Sequence, residues 1–181
     1  MRWGMPATGN DVMIDFWRTI IWQQFGAAID MLENAMLACP DELWGDRTQP
    51  SEFGDIVYHT LFWLDLYLSG SVEGFTPPTP FTLDELEPVG LLPEWSYTKD
   101  ELHGYLRFCR RKCQTILEEL TEAQAARRCQ FGWGEISFAE LLLYNMRHVQ
   151  DHAAQLSLIL GQRTGSAPGW VIRAKTVSKT E

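Results

Sequence analysis

Apolar residues recur at intervals of three and four along four stretches of the chain, each bounded by residues suited to a helix end. The first, about Asp11 to Leu37, sets Ile14, Trp17, Ile21, Phe25, Ala28, Leu32 and Ala35 on one stripe. Asn10 is placed to cap it and Pro40 to close it. The second runs from about Glu52 to Leu68 behind a Ser51 cap and is apolar on most sides, which predicts a deeply buried helix. Thr98-Lys99-Asp100-Glu101 is a capping box and opens a third helix to about Ala126. Ser137-Phe138-Ala139-Glu140 is another and opens a fourth to about Leu160, with Gly161 where a helix-ending glycine belongs.

The connections are uneven. Asp41 to Pro50 is polar, with Trp44 as its anchor. Ser69 to Tyr97 holds Pro77, Pro78, Pro80, Pro88 and Pro93, which exclude a long helix and leave Leu83-Asp84-Glu85-Leu86 as a single turn. A connection of about 30 residues needs a reason inside a compact domain, and carrying the chain back so that helices two and three run parallel supplies one. No internal repeat or β-rich segment is apparent. The pattern predicts an all-α four-helix bundle with a long helix 2–3 crossover, one domain over residues 1–163. A loosely ordered tail, 164–181, follows, in which Trp170 and Val171 dock back on the bundle.

Composition narrows the function classes. The 181 residues carry a net charge of −9, which disfavours a phosphate-binding surface. The one compact basic cluster, Arg107, Arg110, Arg111 and Lys112, reads as a solvated helix face, so nucleic acid is not an expected partner. Met1-Arg2-Trp3-Gly4 leads into mixed polar sequence rather than a signal peptide. The apolar run from Leu61 to Leu68 is interrupted by Asp65 and too short to span a bilayer, so no membrane association and a cytoplasmic location are expected. Cys109 and Cys113 continue the seam Leu102, Leu106, Ile116, Leu120; core packing is the first reading and a ligand or redox pair the second. Cys39 and Cys129 flank helix ends and carry no motif.

Four histidines are present, and their placement is informative. His148 and His152 are four apart and share a face of the fourth helix, so two imidazoles can converge on one ion. That pair alone also suits two partly exposed helix histidines. The seam around it changes the balance: Leu141, Asn145, His148, His152, Gln155 and Ile159 alternate steps of four and three, apolar at the ends and polar in the middle. A wholly apolar seam lies beside it: Phe138, Leu142, Val149, Leu156, Leu160. Buried polar residues in a row need something to satisfy them, and a metal does so. His59, between Ile56 and Trp63 on the second helix, supplies a third imidazole or is a hydrogen-bonded core histidine. Three histidines leave a coordination position open, as in catalytic zinc sites. Asn145 and Gln155 are candidates for steadying an imidazole or a substrate, and Asp55, one turn before His59, for accepting its second ring proton. Asp151 points away from His152, and His103 reads as exposed. No protein nucleophile or general base stands out, so the catalytic residues are unassigned.

The stretch Tyr58-His59-Thr60-Leu61-Phe62-Trp63-Leu64-Asp65-Leu66-Tyr67-Leu68 resembles the second-helix motif of the damage-inducible DinB family. Phe138-Ala139-Glu140-Leu141-Leu142, continuing through Arg147-His148-Val149-Gln150-Asp151-His152-Ala153-Ala154-Gln155-Leu156, resembles its fourth-helix motif. The likeness covers Asp11 to Leu160, and Trp170-Val171 is similar to the family's tail. The resemblance implies an up-down-down-up bundle and a divalent metal, nickel or zinc, on His59, His148 and His152. It also implies a homodimer and a small-molecule substrate. The superfamily includes metal-dependent transferases and isomerases that use low-molecular-weight thiols, and putative hydrolases. Related thiol-dependent enzymes sometimes carry a glutamate among the ligands, whereas all three positions here are histidine. The expectation is a metal-dependent thiol transferase or hydrolase; the alternative is a non-catalytic metal-binding or stress-related interaction protein in which the ion only pins two helices.

Overall fold

The computed structural model describes residues 9–46, 53–87 and 97–175. It is mostly helical: α1 (Gly9–Ala38), α2 (Asp41–Trp44), α3 (Phe53–Ser69), α4 (Lys99–Glu119), α5 (Glu122–Ala126) and α6 (Phe138–Thr164), with a hairpin of β1 (Arg128–Phe131) and β2 (Gly134–Ser137) before α6. Among the described residues no helix is long and apolar enough to cross a membrane. The four long helices surround one core, α1 and α3 each packing against both α4 and α6. Phe25, Leu32, Leu61, Leu106, Leu142 and Leu156 meet there, each no more than 1% exposed. All four cysteines are buried free thiols, and Cys109 and Cys113 lie in the core as the first reading has it.

Several helix ends differ from the sequence pattern, for local reasons. α1 already includes Asn10, so that residue does not cap it; the expected Ser51 cap lies outside the described residues. The third helix breaks at Leu120 instead of running to Ala126. Thr121 accepts from the Gln124 backbone and starts α5 with its own capping box, while Arg18 of α1 clamps the Leu120 carbonyl through Nε (2.9 Å) and Nη2 (2.6 Å). The fourth helix passes through Gly161, and Gly165 ends it at φ 76°, a left-handed turn that glycine adopts without Cβ strain. One extra turn is secured by the Thr164 hydroxyl donating to the Leu160 carbonyl at 2.8 Å.

The fold is all-α as expected, with one short hairpin added. Phe131 pairs with Gly134 across a two-residue Gly132-Trp133 turn, and Cys129 and Phe131 point inward while their neighbours stay exposed. Trp44 is the anchor expected of the first connection, its indole N–H donating to the Tyr97 carbonyl at 3.0 Å. In the crossover the expected single turn is a 3-10 turn, Asp84–Leu86. It is held to the core by Phe81, which stacks on Tyr105 at 4.3 Å, and by the Tyr58 hydroxyl donating to the Thr82 carbonyl at 3.0 Å.

The basic run on α4 is not wholly a solvated face. Arg110 pairs with the buried Asp30 at 2.7 Å and with Glu33 at 3.0 Å. Lys112 pairs with the buried Asp65 of α3 and donates to the Asp65 carbonyl (3.0 Å) and the Ser69 hydroxyl (2.6 Å). The Tyr105 hydroxyl donates to the other Asp65 oxygen at 3.0 Å. Charges this deeply placed persist only when paired and hydrogen-bonded. After Gly165 the tail returns along α1. Val171 packs on the core while Trp170 stays 71% exposed. The Ala174 amide donates to the Gln23 carbonyl (2.9 Å) and the Lys175 amide to Asp30 (2.7 Å).

Candidate metal centre

α3 and α6 bring three imidazoles together at their contact. Each helix keeps its polar residues in register because apolar residues on either side are buried. Asn145, fully buried, ties the two backbones by donating from Nδ2 to the Leu64 carbonyl at 3.0 Å. This places His59 against His148 and His152, with ring centroids 5.4 and 5.0 Å away, and the latter two 4.6 Å from each other. All three are half-buried, and one nitrogen from each lies within 4.8 Å of the others. Nitrogens bound to one tetrahedral ion at about 2.1 Å sit roughly 3.4 Å apart, so modest ring rotation closes the set.

The electrostatics favour neutral donors. Burial, reinforced by the neighbouring His152 and His59, pushes the His148 imidazole down to about 3. Burial also lowers His152, partly offset by its hydrogen bond with Gln155. Metal ligation needs the neutral imidazole, so the cluster is prepared for a cation. His148 Nδ1 is buried with no partner among the described residues, a group whose desolvation costs about 1–3 kcal/mol unless something satisfies it. On this donor set and this orphaned nitrogen, the three residues fit a divalent metal.

The same shift has a consequence for the metal-free protein. The unfolded chain takes up a proton near the ordinary histidine value, about 6.5, while folded His148 resists it down to about 3. Stability from this site is therefore full above about pH 6.5 and falls as the pH drops below it. The expected loss is at most about 2 kcal/mol between pH 7 and pH 5. Chemical denaturation of chelator-treated protein at the two pH values measures it. His148→Leu should flatten the difference, and an unchanged difference would place the acid sensitivity elsewhere.

The surrounding residues divide between those expected and those missed. Gln155 is exposed, and its Oε1 lies 3.0 Å from His152 Nδ1, steadying that ring. Asn145 binds the α3 backbone instead of an imidazole. A carboxylate from the crossover, Glu85, sets its Oε2 2.7 Å from His59 Nδ1 and also accepts the Trp63 indole N–H at 3.0 Å. Asp151 is exposed, as expected. His103 is half-buried, not exposed, and stands outside the cluster.

An aromatic wall also went unforeseen. Tyr67 meets His148 edge-on at 6.1 Å and Tyr144 at 5.3 Å. Trp133, at the tip of the hairpin, stacks on Tyr144 at 4.9 Å. The Gly-Trp-Gly turn was the available signal for that tip. On another side His148 borders a groove of about 600 Å³ between α1, α6 and the tail, lined also by Tyr144, Arg147, Asp151 and Trp170. No cysteine joins the group, and burial holds the Cys109 and Cys113 thiols well above their ordinary range, so neither is poised as a nucleophile.

The family model described as the DinB superfamily matches residues 24–156, which include the three histidines, all of α3 and most of α6. No curated protein matches the chain.

Proposed function

The chain belongs to the DinB superfamily, and from that premise we propose that it is a divalent-metal-dependent enzyme of thiol-transferase or hydrolase type. The observation that carries the reading is the convergence of His59, His148 and His152 within 4.8 Å, with His148 also lining a groove. These three residues hold the ion, and neutral imidazoles suit nickel or zinc. Such an ion lowers the pKa of a thiol or a water, so that either becomes a nucleophile near neutral pH. Tyr67, Tyr144 and Trp133 exclude water along one side, and the groove beside His148 gives a small-molecule substrate its approach.

We also read the long helices as an up-down-down-up bundle. In support, Arg18 near the start of α1 meets Leu120 beyond the end of α4, and Lys99 at the start of α4 meets Cys39 beyond the end of α1. Leu61 and Ser69 of α3 meet Cys109 and Lys112 of α4 in the same order, whereas His59 and Tyr67 meet His152 and Tyr144 in reverse. A homodimer in the cytoplasm belongs to the same proposal. Its support is apolar surface on α1, where Met13, Phe16 and Trp17 are each more than half exposed.

The test is turnover. Metal-loaded protein is assayed with several low-molecular-weight thiols against electrophiles, and with ester and amide substrates. The expected result is turnover that disappears on chelation and returns with added metal. A metal-bound protein inert across both panels would favour the binding-protein alternative.

A further inference from the structure

The crossover between α3 and α4 remains without a chemical role, although it spends many residues returning to the histidine cluster. Its 3-10 turn delivers one carboxylate there. Glu85 is largely buried, its side chain 15% exposed, and a single oxygen, Oε2, meets both His59 Nδ1 at 2.7 Å and the Trp63 indole N–H at 3.0 Å. The turn that carries it is fixed on its N-terminal side. Thr82 donates its hydroxyl to Asp84 at 2.7 Å, and the Thr82 carbonyl accepts from the buried Tyr58. The carboxylate is thus aimed and has little freedom to turn away.

We propose that Glu85 is the positioning residue of the centre: it fixes the His59 proton on Nδ1 and so presents the Nε2 lone pair to His148 and His152. An ionised carboxylate only accepts, so the hydrogen at the 2.7 Å contact belongs to the imidazole. With Nδ1 protonated, the neutral ring has Nε2 as its one available ligand atom. The Trp63 indole can only donate, so it orients the acceptor without competing for the His59 proton. A carboxylate behind a ligating histidine sets its tautomer, its ring angle and its basicity, and the loss of such a partner costs roughly 10–100-fold in metal affinity. The proposal rests on the metal-binding reading of the histidines and assigns the crossover the task of completing that site.

The experiment has one readout that needs no metal. In metal-free protein labelled with ¹⁵N-histidine, at about pH 8 where histidine is ordinarily neutral, the His59 nitrogens are expected to report the Nδ1–H tautomer. Glu85→Ala should shift His59 toward Nε2–H or a mixture, whereas Glu85→Gln, whose amide oxygen still accepts, should largely keep the original tautomer. In parallel, competition titrations with zinc and with nickel should show a roughly 10–100-fold weakening in Glu85→Ala and a smaller one in Glu85→Gln. An unchanged tautomer in Glu85→Ala, with native helix content, would overturn the proposal, and so would undiminished affinity in Glu85→Ala where the wild type binds. A wild type that binds neither metal defeats the metal-binding reading instead, and the tautomer comparison still decides what Glu85 does to His59.

Discussion

Protein loaded with zinc or nickel and then desalted is expected to carry about one ion per chain, while His148→Ala and His152→Ala retain less than about a tenth of that. The size of the effect follows from the donor set. Three imidazoles are the whole of the chain's contribution among the described residues, so each truncation removes a third of it and weakens binding by more than the roughly 100-fold typical of losing an outer partner. His148 should be the more severe of the two. Its Nδ1 is buried and its neutral form is strongly favoured, so the ring is presented without competition from protons. Burial lowers His152 as well, but its hydrogen bond with the exposed Gln155 works against that. Metal analysis by mass spectrometry beside a fold check by circular dichroism reads the result. Equal metal content in all three proteins would end the metal-site reading.

Lys112→Ala is expected to destabilise the fold by about 3–5 kcal/mol, independently of metal. The lysine is the cation for Asp65, which is 1% exposed, and removing it leaves that carboxylate with the Tyr105 hydroxyl as its remaining side-chain partner among the contacts described. An uncompensated buried charge costs far more than the pair contributes. Replacing both partners with apolar residues, Asp65→Leu with Lys112→Met, should therefore recover much of the loss. Urea denaturation of the two singles and the double tests this. A loss below about 1 kcal/mol in Lys112→Ala would mean that Asp65 finds water or another donor. The pair joins α3 to α4 less than two turns beyond His59, so the single variant should also loosen the centre.

These expectations show which features a one-dimensional pattern can carry. His148 and His152 were legible because four residues return to the same side of a helix, and the buried neighbours Val149 and Leu156 mark which side faces the core. Glu85 was not, since it reaches His59 through an irregular loop across 26 residues, where no period links the two. Asp65 read as an interruption of an apolar run and Lys112 as part of a charged face. A helical wheel knows its own axis but not which neighbour stands beside it. Strands of four residues are too short for alternation to declare itself, so the hairpin stayed hidden. Gly161 and Gly165 are equal in composition, and it is Gly165 that takes the left-handed turn, its amide donating to the Gly161 carbonyl.

The bond from the Lys175 amide to Asp30 joins groups 145 residues apart, and this separation is also an interval in time. At a synthesis rate of about 5–20 residues per second, Asp30 leaves the ribosome roughly 7–30 s before its last described partner exists. Arg110 arrives in between and can neutralise the carboxylate first, but the tail alone delivers the backbone donor. Until then Asp30 lacks that backbone donor in what becomes the packed face of α1. The nascent chain can assemble α3 against α4 earlier, and the sealing of α1 is completed only when the tail arrives.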